Sequence, residues 1–218
     1  MNGASPGGGL VFSQPRDGYR FSSDSVALAE FAQSGTNEVI LDLCSGCGVV
    51  PILMWQRRPF RKAIGVETDA ELVALARENV AHFQLEDRVQ ILRADVRSLS
   101  WEDLVPFSPS ISASRFDVIT CNPPYWPLGT GRINPTSQKA TARHEISLAL
   151  GELLSAGGRF LKPGGRLYLA HLEARQAEIL SGLRNENFDV ARTCSLPGKT
   201  RRILFEARLC EAKFPQPG

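Results

Sequence analysis

The chain has 218 residues, the size of one ordinary domain, and its 43% apolar and 22% charged content is that of a globular protein. Its 25 basic and 23 acidic residues leave a formal net charge of +2, which excludes a histone-like polycation though not a local basic patch. The longest unbroken apolar stretch runs from Val49 to Trp55 even when Pro51 is counted; a membrane span needs roughly 20 residues, so no membrane partner is expected.

In chain order, residues 1–9 (MNGASPGGG) are Gly-rich and are expected to form a disordered tail. They show no basic cluster followed by an apolar core, so no secretory signal is read and a cytoplasmic protein is expected. Residues 10–212 read as one domain. Val39–Leu43 (VILDL) is the first predicted strand, followed by Gly46, Gly48 and an apolar helix from about Val49 to Arg57. Ala63–Glu67 is a second strand. Asp69 then reads as the N-cap of a helix running to about Gln84, with Leu72, Leu75, Ala76 and Val80 at helical spacing. Val89–Arg93 is a third strand that leads to Asp95, and Phe116–Cys121 is a fourth that runs directly into Asn122-Pro123-Pro124-Tyr125. Ile146 to about Phe160 reads as a helix stopped by Lys162-Pro163-Gly164-Gly165. Arg166–His171 is a fifth strand and Glu173–Asn185 another helix. Val190–Leu196 and Arg202–Cys210 flank a Pro197-Gly198 turn and read as a hairpin.

Strands alternating with helices predict an α/β fold: a mostly parallel seven-stranded sheet with helices on both faces, closed by an antiparallel hairpin. Such sheets bind ligands at the carboxyl ends of their strands. The five cysteines are odd in number and irregularly spaced, which argues against a disulfide framework. Cys44 and Cys47 form a C-x-x-C, but a structural zinc needs four ligands and no second pair stands at suitable spacing, so no metal is expected.

Three acids, Asp42, Glu67 and Asp95, close three successive strands. The first opens Asp42-Leu43-Cys44-Ser45-Gly46-Cys47-Gly48, whose glycines permit a tight turn and close approach of a ligand. An acid 19 positions beyond Gly48, at the end of the next strand, suits two ribose hydroxyls. A dinucleotide site wants Gly or Ala three residues after Gly48, where this chain has Pro51. S-adenosylmethionine carries a cationic sulfonium and no phosphate, so it matches an acidic rim better. The alternative for Asp42 and Asp95 is a local role capping loops.

The Asn122-Pro123-Pro124-Tyr125 run is the most specific signal. The lone pair of an adenine amino group is delocalised into its ring, which makes it a poor nucleophile. An Asn side-chain oxygen and a backbone carbonyl can accept its two hydrogens and favour the tetrahedral form, while proline adds no competing N–H. An adjacent aromatic can stack on the base. Positioning and electrostatics then supply most of the catalysis.

Together, the glycine loop, Glu67, Asp95 and the N-P-P-Y run resemble the Rossmann-like class I methyltransferases that act on amino groups. The upstream segment Gln14-Pro15-Arg16-Asp17-Gly18-Tyr19-Arg20-Phe21-Ser22-Ser23-Asp24-Ser25 is similar to that of bacterial tRNA adenine-N6 methyltransferases acting on a valine tRNA, at the purine just 3′ of the anticodon. Arg143-His144-Glu145 matches many relatives as well. The resemblance runs from about residue 10 to 210. It implies S-adenosyl-L-methionine as cofactor, held by Asp42, Cys44, Gly46, Gly48, Glu67, Thr68, Asp95 and Asn122. It also implies that Tyr19, Phe21, Ser22 and Asp24 cover the methionine end of the cofactor. Asn122, Pro123, Pro124 and Tyr125 would hold the target amine and base. Cys44 stands where many methyltransferases have the first glycine of the loop, a substitution that relatives share.

For the RNA, Arg192, Lys199, Arg201 and Arg202 place four positive charges within 11 residues, a pattern suited to phosphate contacts. Arg132, Lys139 and Arg143 line the segment after Tyr125, whereas Arg57, Arg58, Arg61 and Lys62 read as a solvated helix end. Trp126 is the candidate to stack on a splayed base, and residues 126–143, with Gly129, Gly131 and Pro135, are expected to be a lid that orders on binding. His144 reads as a structural helix-start histidine rather than a catalytic one. The alternative readings are a protein-glutamine methyltransferase, which usually carries a helical recognition domain ahead of its core where only 38 residues precede the first strand here, and a DNA-adenine methyltransferase, which usually carries an extra target-recognition module for which no room is expected. A nucleotide-dependent oxidoreductase is disfavoured by Pro51. Monomer and homodimer both remain open from sequence.

Overall fold

A computed structural model describes residues 10–16, 21–107, 115–124, 150–198 and 200–211. Alternation of side chains sets its layers. In β1 (Val39–Leu43), Val39, Leu41 and Leu43 join one apolar cluster and Ile40 the other, so the whole strand is buried, as a central parallel strand requires. β2 (Lys62–Glu67) and β4 (Phe116–Cys121) are buried in the same way but for Lys62, Glu67 and Asp117, whereas β3 (Val89–Arg93), at the sheet edge, buries only Val89 and Ile91. β5 (Leu161–Leu172), β6 (Phe188–Leu196) and β7 (Arg202–Leu209) complete a seven-stranded sheet of order β3-β2-β1-β4-β5-β7-β6. The pairs among β1 to β5 are parallel, and β7 runs antiparallel to both β5 and β6. The expected architecture is therefore the observed one.

Helices α1 (Ser23–Phe31), α2 (Val49–Arg57) and α3 (Ala70–His82) supply Leu28, Ile52 and Val73 to the cluster that covers Ile40, Ala63, Ile91 and Val118. On the other face α4 (Trp101–Leu104), α5 (Leu150–Phe160) and α6 (Gln176–Asn185) bring Leu104, Phe160 and Leu183 over Leu41, Ile64, Ile119 and Phe205. Asp69 caps α3 as expected, accepting from the Glu71 and Leu72 N–H groups at 2.8 and 3.1 Å. Among the described residues no helix is long and apolar enough to cross a membrane.

Several local features differ from the sequence reading. Helix α1 has no predicted counterpart, because its inner face carries Asp24 and Ser25 beside Leu28 and Phe31 and so lacks an apolar stripe. The short α4 is announced only by a Ser100–Asp103 capping box. Lys162-Pro163-Gly164-Gly165 does not delay the fifth strand. Leu161 already pairs with Phe116, the four residues form an irregular excursion, and Arg166 resumes the ladder opposite Val118. A proline and two glycines tolerate such a bulge because Pro163 has no N–H to satisfy. The segment Glu173–Arg175 is one 3-10 turn ahead of α6 rather than its first α-helical turn.

Candidate active site

The strand order reverses between β1 and β4. From β1 the chain winds outward through β2 to β3, then returns to lay β4 on β1's other side, with Leu43 opposite Cys121. At this switch point the connections leaving the two strands diverge and open a crevice. The glycine loop leaves β1 there and Asn122 leaves β4, so residues about 80 positions apart stand side by side. Glu67 and Asp95 follow along the same edge, after β2 and β3.

The loop winds left-handed through Cys44, Gly46 and Gly48 at φ 58, 56 and 75°. Gly48 is the N-cap of α2, and a Cβ there would lie 3.4 Å from that of Ala76, so glycine serves both the turn and the helix contact. Glu67 reaches across from β2. Its Oε2 accepts from the Gly46 N–H at 2.9 Å, and its Oε1 accepts from the N–H groups of Thr68 (2.8 Å) and Asp69 (3.0 Å). The carboxylate is thus fixed beside the loop, at the carboxyl end of β2.

Asp42 has a different setting. Its side chain turns inward, 1% exposed, with Oδ2 accepting from Ser45 Oγ and Oδ1 from Thr120 Oγ1, both at 2.6 Å. It ties β1 to the glycine loop and to β4. Gly65 makes room for this arrangement, since a Cβ there would come within 2.6 Å of Ser45 Oγ. Burial pushes the Asp42 carboxyl up from 3.8 to about 7, against the opposing pull of the two hydroxyls. Between those values the folded chain holds a proton that the unfolded chain has released, so this contribution to stability is full below about pH 4 and lost as pH rises to about 7. Urea midpoints measured from pH 4 to 8 are expected to show the parent losing up to about 1.4 kcal/mol per pH unit relative to Asp42→Asn. A constant difference across that range would show that Asp42 ionises normally.

Asp95, 31% exposed at its side chain, accepts from the Arg97 N–H and from Arg97 Nε at 2.9–3.0 Å. The Arg97 side chain holds its carboxyl below the usual range. Cys47 is buried and its thiol is pushed up to about 12 by burial, which leaves it a small apolar residue of the loop rather than a thiolate. Among the described residues no three His, Cys, Asp or Glu side chains come together as a metal site would require.

Asn122 is 8% exposed, and its Nδ2 donates to Ser25 Oγ of α1 at 2.8 Å. Pro123 is buried and Pro124 exposed. Ser22 caps α1, accepting from the Asp24 N–H at 3.3 Å, and Phe21 packs edge-on against Phe12 with ring centroids 5.6 Å apart. Asp24 is buried and accepts from Arg202 Nε at 3.1 Å. Arg202 therefore faces inward, 18% exposed, instead of out to solvent as an RNA contact would, because a buried carboxylate demands a counter-charge. Arg192 is likewise engaged, by Glu206 at 2.9 Å and by the Phe31 ring at 3.9 Å. Arg201 pairs with Glu173 at 2.8 Å yet stays 68% exposed. Tyr19, Tyr125, Trp126, Arg143, His144, Lys199, the expected lid at 126–143 and the first turn of the helix expected from Ile146 lie outside the described residues.

Thr120 and Gly65 carry no motif, and Ser25 and Ser45, though they lie in the upstream segment and the glycine loop, are given no role by sequence; the partners of all four are recognisable only in the fold. Asn79 of α3 is another such residue. Its amide joins Ser13 of the N-terminal segment to the glycine loop, accepting from the Ser13 N–H at 2.7 Å and donating to the carbonyls of Ser13 and Cys47 at 2.9 Å.

The family model "Methyltransferase small domain" matches residues 11–193. The tRNA1(Val) (adenine(37)-N6)-methyltransferase of Vibrio vulnificus (strain YJ016) is 29% identical over 199 residues, covering 89% of this chain and 78% of that protein. Its counterpart in Vibrio parahaemolyticus serotype O3:K6 (strain RIMD 2210633) is 31% identical over 194 residues, covering 87% and 75%. The crystal structure of TrmN from Thermus thermophilus shares the fold, with a TM-score of 0.60 at 22% identity over 85% of this chain; the chain spans about half, 48%, of that protein. A glycine loop and the Asn122-Pro123-Pro124 turn that follow neighbouring strands at the switch point, within a match over most of the sequence, lead to one assignment: the chain belongs to the methyltransferase small domain family, in its tRNA1(Val) (adenine(37)-N6)-methyltransferase branch.

Proposed function

We propose that the chain transfers a methyl group from S-adenosylmethionine to the exocyclic N6 of an adenine in tRNA, the purine 3′ of the anticodon of a valine tRNA. One observation carries the reading: Asn122 leaves β4 directly beside the glycine loop that leaves β1, so an amine acceptor and a nucleoside site share one crevice. The residues fit that cofactor. Glu67 is fixed beside the glycine loop by the Gly46 N–H, a position from which its carboxylate can take two ribose hydroxyls, and Asp95 stands just beyond the end of β3 along the same edge. When bound, S-adenosylmethionine supplies a methyl group on a cationic sulfur.

The protein's part is binding and aim. Asn122 Oδ1 and a carbonyl of the Pro123-Pro124 turn accept the two amine hydrogens, which draws the nitrogen lone pair out of conjugation with the ring. Tyr125 and Trp126 are assigned to stack on the base; such contacts are worth about 1–3 kcal/mol each and offset the few kcal/mol needed to splay it from the anticodon loop. No dedicated base is required, because the alkylated nitrogen is acidic. Residues 10–212 are assigned to this single catalytic unit, and with a tRNA substrate it is assigned to the cytoplasm.

Total tRNA from cells lacking this activity, incubated with the protein and labelled cofactor and then digested to nucleosides, is expected to yield labelled N6-methyladenosine by mass spectrometry. Label appearing only on protein glutamine or on DNA would overturn the reading. The RNA surface has its own test. Arg201 pairs with Glu173 but stays mostly exposed, while Arg202 is turned inward onto Asp24 and Arg192 is held between Glu206 and the Phe31 ring. The Lys199→Ala, Arg201→Ala double variant should therefore weaken tRNA binding and reduce the logarithmic salt slope by about one for each phosphate no longer neutralised. An unchanged slope would remove this turn from the interface.

A further inference from the structure

We propose that Ser25 is a positioning residue for methyl transfer: it anchors the Asn122 amide through its N–H, which aims the carboxamide oxygen as the acceptor for the target amine. This rests on the amine-methylating function proposed above.

The contact is long-range and dry. Asn122 Nδ2 donates to Ser25 Oγ at 2.8 Å, the two residues are 97 positions apart in sequence, and they are 8% and 5% exposed. An Asn amide has two ends of nearly equal size and opposite hydrogen-bonding character. Methyl transfer needs the oxygen toward the amine, because the NH2 end would meet the amine's own N–H groups as donor against donor. In the structure the NH2 end lies on the Ser25 hydroxyl, and this tether holds the carboxamide in place, with its oxygen end turned the other way, before the base arrives.

The anchor is itself held. Ser25 lies in the first turn of α1, where its N–H donates to the Ser22 carbonyl at 3.1 Å and Ser22 Oγ accepts from the Asp24 N–H. Next to it, Asp24 is gripped by Arg202 at the start of β7, and Arg202 also donates to the Thr200 carbonyl at 3.1 Å. The helix turn is thereby fixed to the start of β7, and the arginine of the basic run that points inward serves this purpose. Asp24–Arg202 and Ser25–Asn122 form two adjacent clamps on one helical turn, which explains why the inner face of α1 is polar where an ordinary core helix would be apolar.

The test measures single-turnover methylation of unmodified tRNA at saturating cofactor, with S-adenosylhomocysteine affinity, tRNA affinity and Tm taken on the same samples. Ser25→Ala is expected to lower the methyl-transfer rate by about 10- to 100-fold, the scale of a misplaced reacting group, with both affinities within about threefold of the parent. Ser25→Thr, which keeps the hydroxyl, should restore the rate to within about threefold. Ser25→Cys keeps the volume with a weaker acceptor and should remain slow, which covers the case in which Ser25→Ala does not fold. A parent-like rate in Ser25→Ala or Ser25→Cys would overturn the positioning role, as would a loss that tracks cofactor affinity and is not restored by threonine. An inactive parent would instead overturn the proposed function, and this role with it.

Discussion

Asn122→Ala is expected to lower methyl transfer by about 10²–10³-fold, the loss seen when one preorganised hydrogen-bonding group is removed from an active site, while S-adenosylhomocysteine binds as it does to the parent. The split follows from where the residue stands. Asn122 belongs to the end of β4, and its side chain bonds to α1, whereas the glycine loop and Glu67 hold each other across β1 and β2 without it. Truncation removes the acceptor for the amine and the tie to Ser25 and leaves the cofactor side intact. In steady state the change should fall on kcat, because the interaction matters most as the nitrogen becomes tetrahedral. A variant that turns over normally, or one that loses cofactor in step with activity, would be incompatible with an amine-binding role.

The opposite signature is expected of Glu67→Ala. If its carboxylate takes both ribose hydroxyls, two charge-assisted hydrogen bonds of about 1.5–3 kcal/mol each are lost, and S-adenosylhomocysteine should bind about 100-fold more weakly or worse by titration calorimetry. The Gly46 N–H loses its partner at the same time, so the loop itself loosens. Raising the cofactor concentration should recover much of the turnover, which separates this residue from Asn122. Glu67→Gln keeps one acceptor and should fall between the two. Cofactor affinity within threefold of the parent in Glu67→Ala would place the ribose elsewhere. Taken together, a kcat defect at Asn122 and a KM defect at Glu67 divide the crevice into its reacting and its holding halves.

The strands and the two ends of the site are legible in the amino-acid order because their signals are local. Val39–Leu43, Val89–Arg93 and Phe116–Cys121 are short apolar runs that end at acids, at the glycine loop or at N-P-P-Y, and each forms a strand with those same bounds. Asp69 announces α3 for an equally local reason, since a cap bonds to N–H groups two and three residues ahead of it. Backbone geometry of this kind is decided within a few residues, so periodicity and punctuation reveal it.

What touches what across the sheet had to await the tertiary structure. Nothing in the order of residues states that Asp42 turns inward to Ser45 and Thr120, that Arg202 is drawn onto Asp24, or that Ser25 meets Asn122 across 97 positions. These partnerships depend on strand order and on which groups lose their water, because a buried carboxylate or amide is obliged to find a partner wherever the fold provides one. The basic run near the C-terminus illustrates the difference. As a sequence it is uncompensated positive charge, and in the fold Glu206, Glu173 and Asp24 stand against its three described arginines. Residue type and spacing determined which chemistry this chain can carry; burial and long-range pairing decided which of its charged and polar groups face the ligands and which hold the others in place.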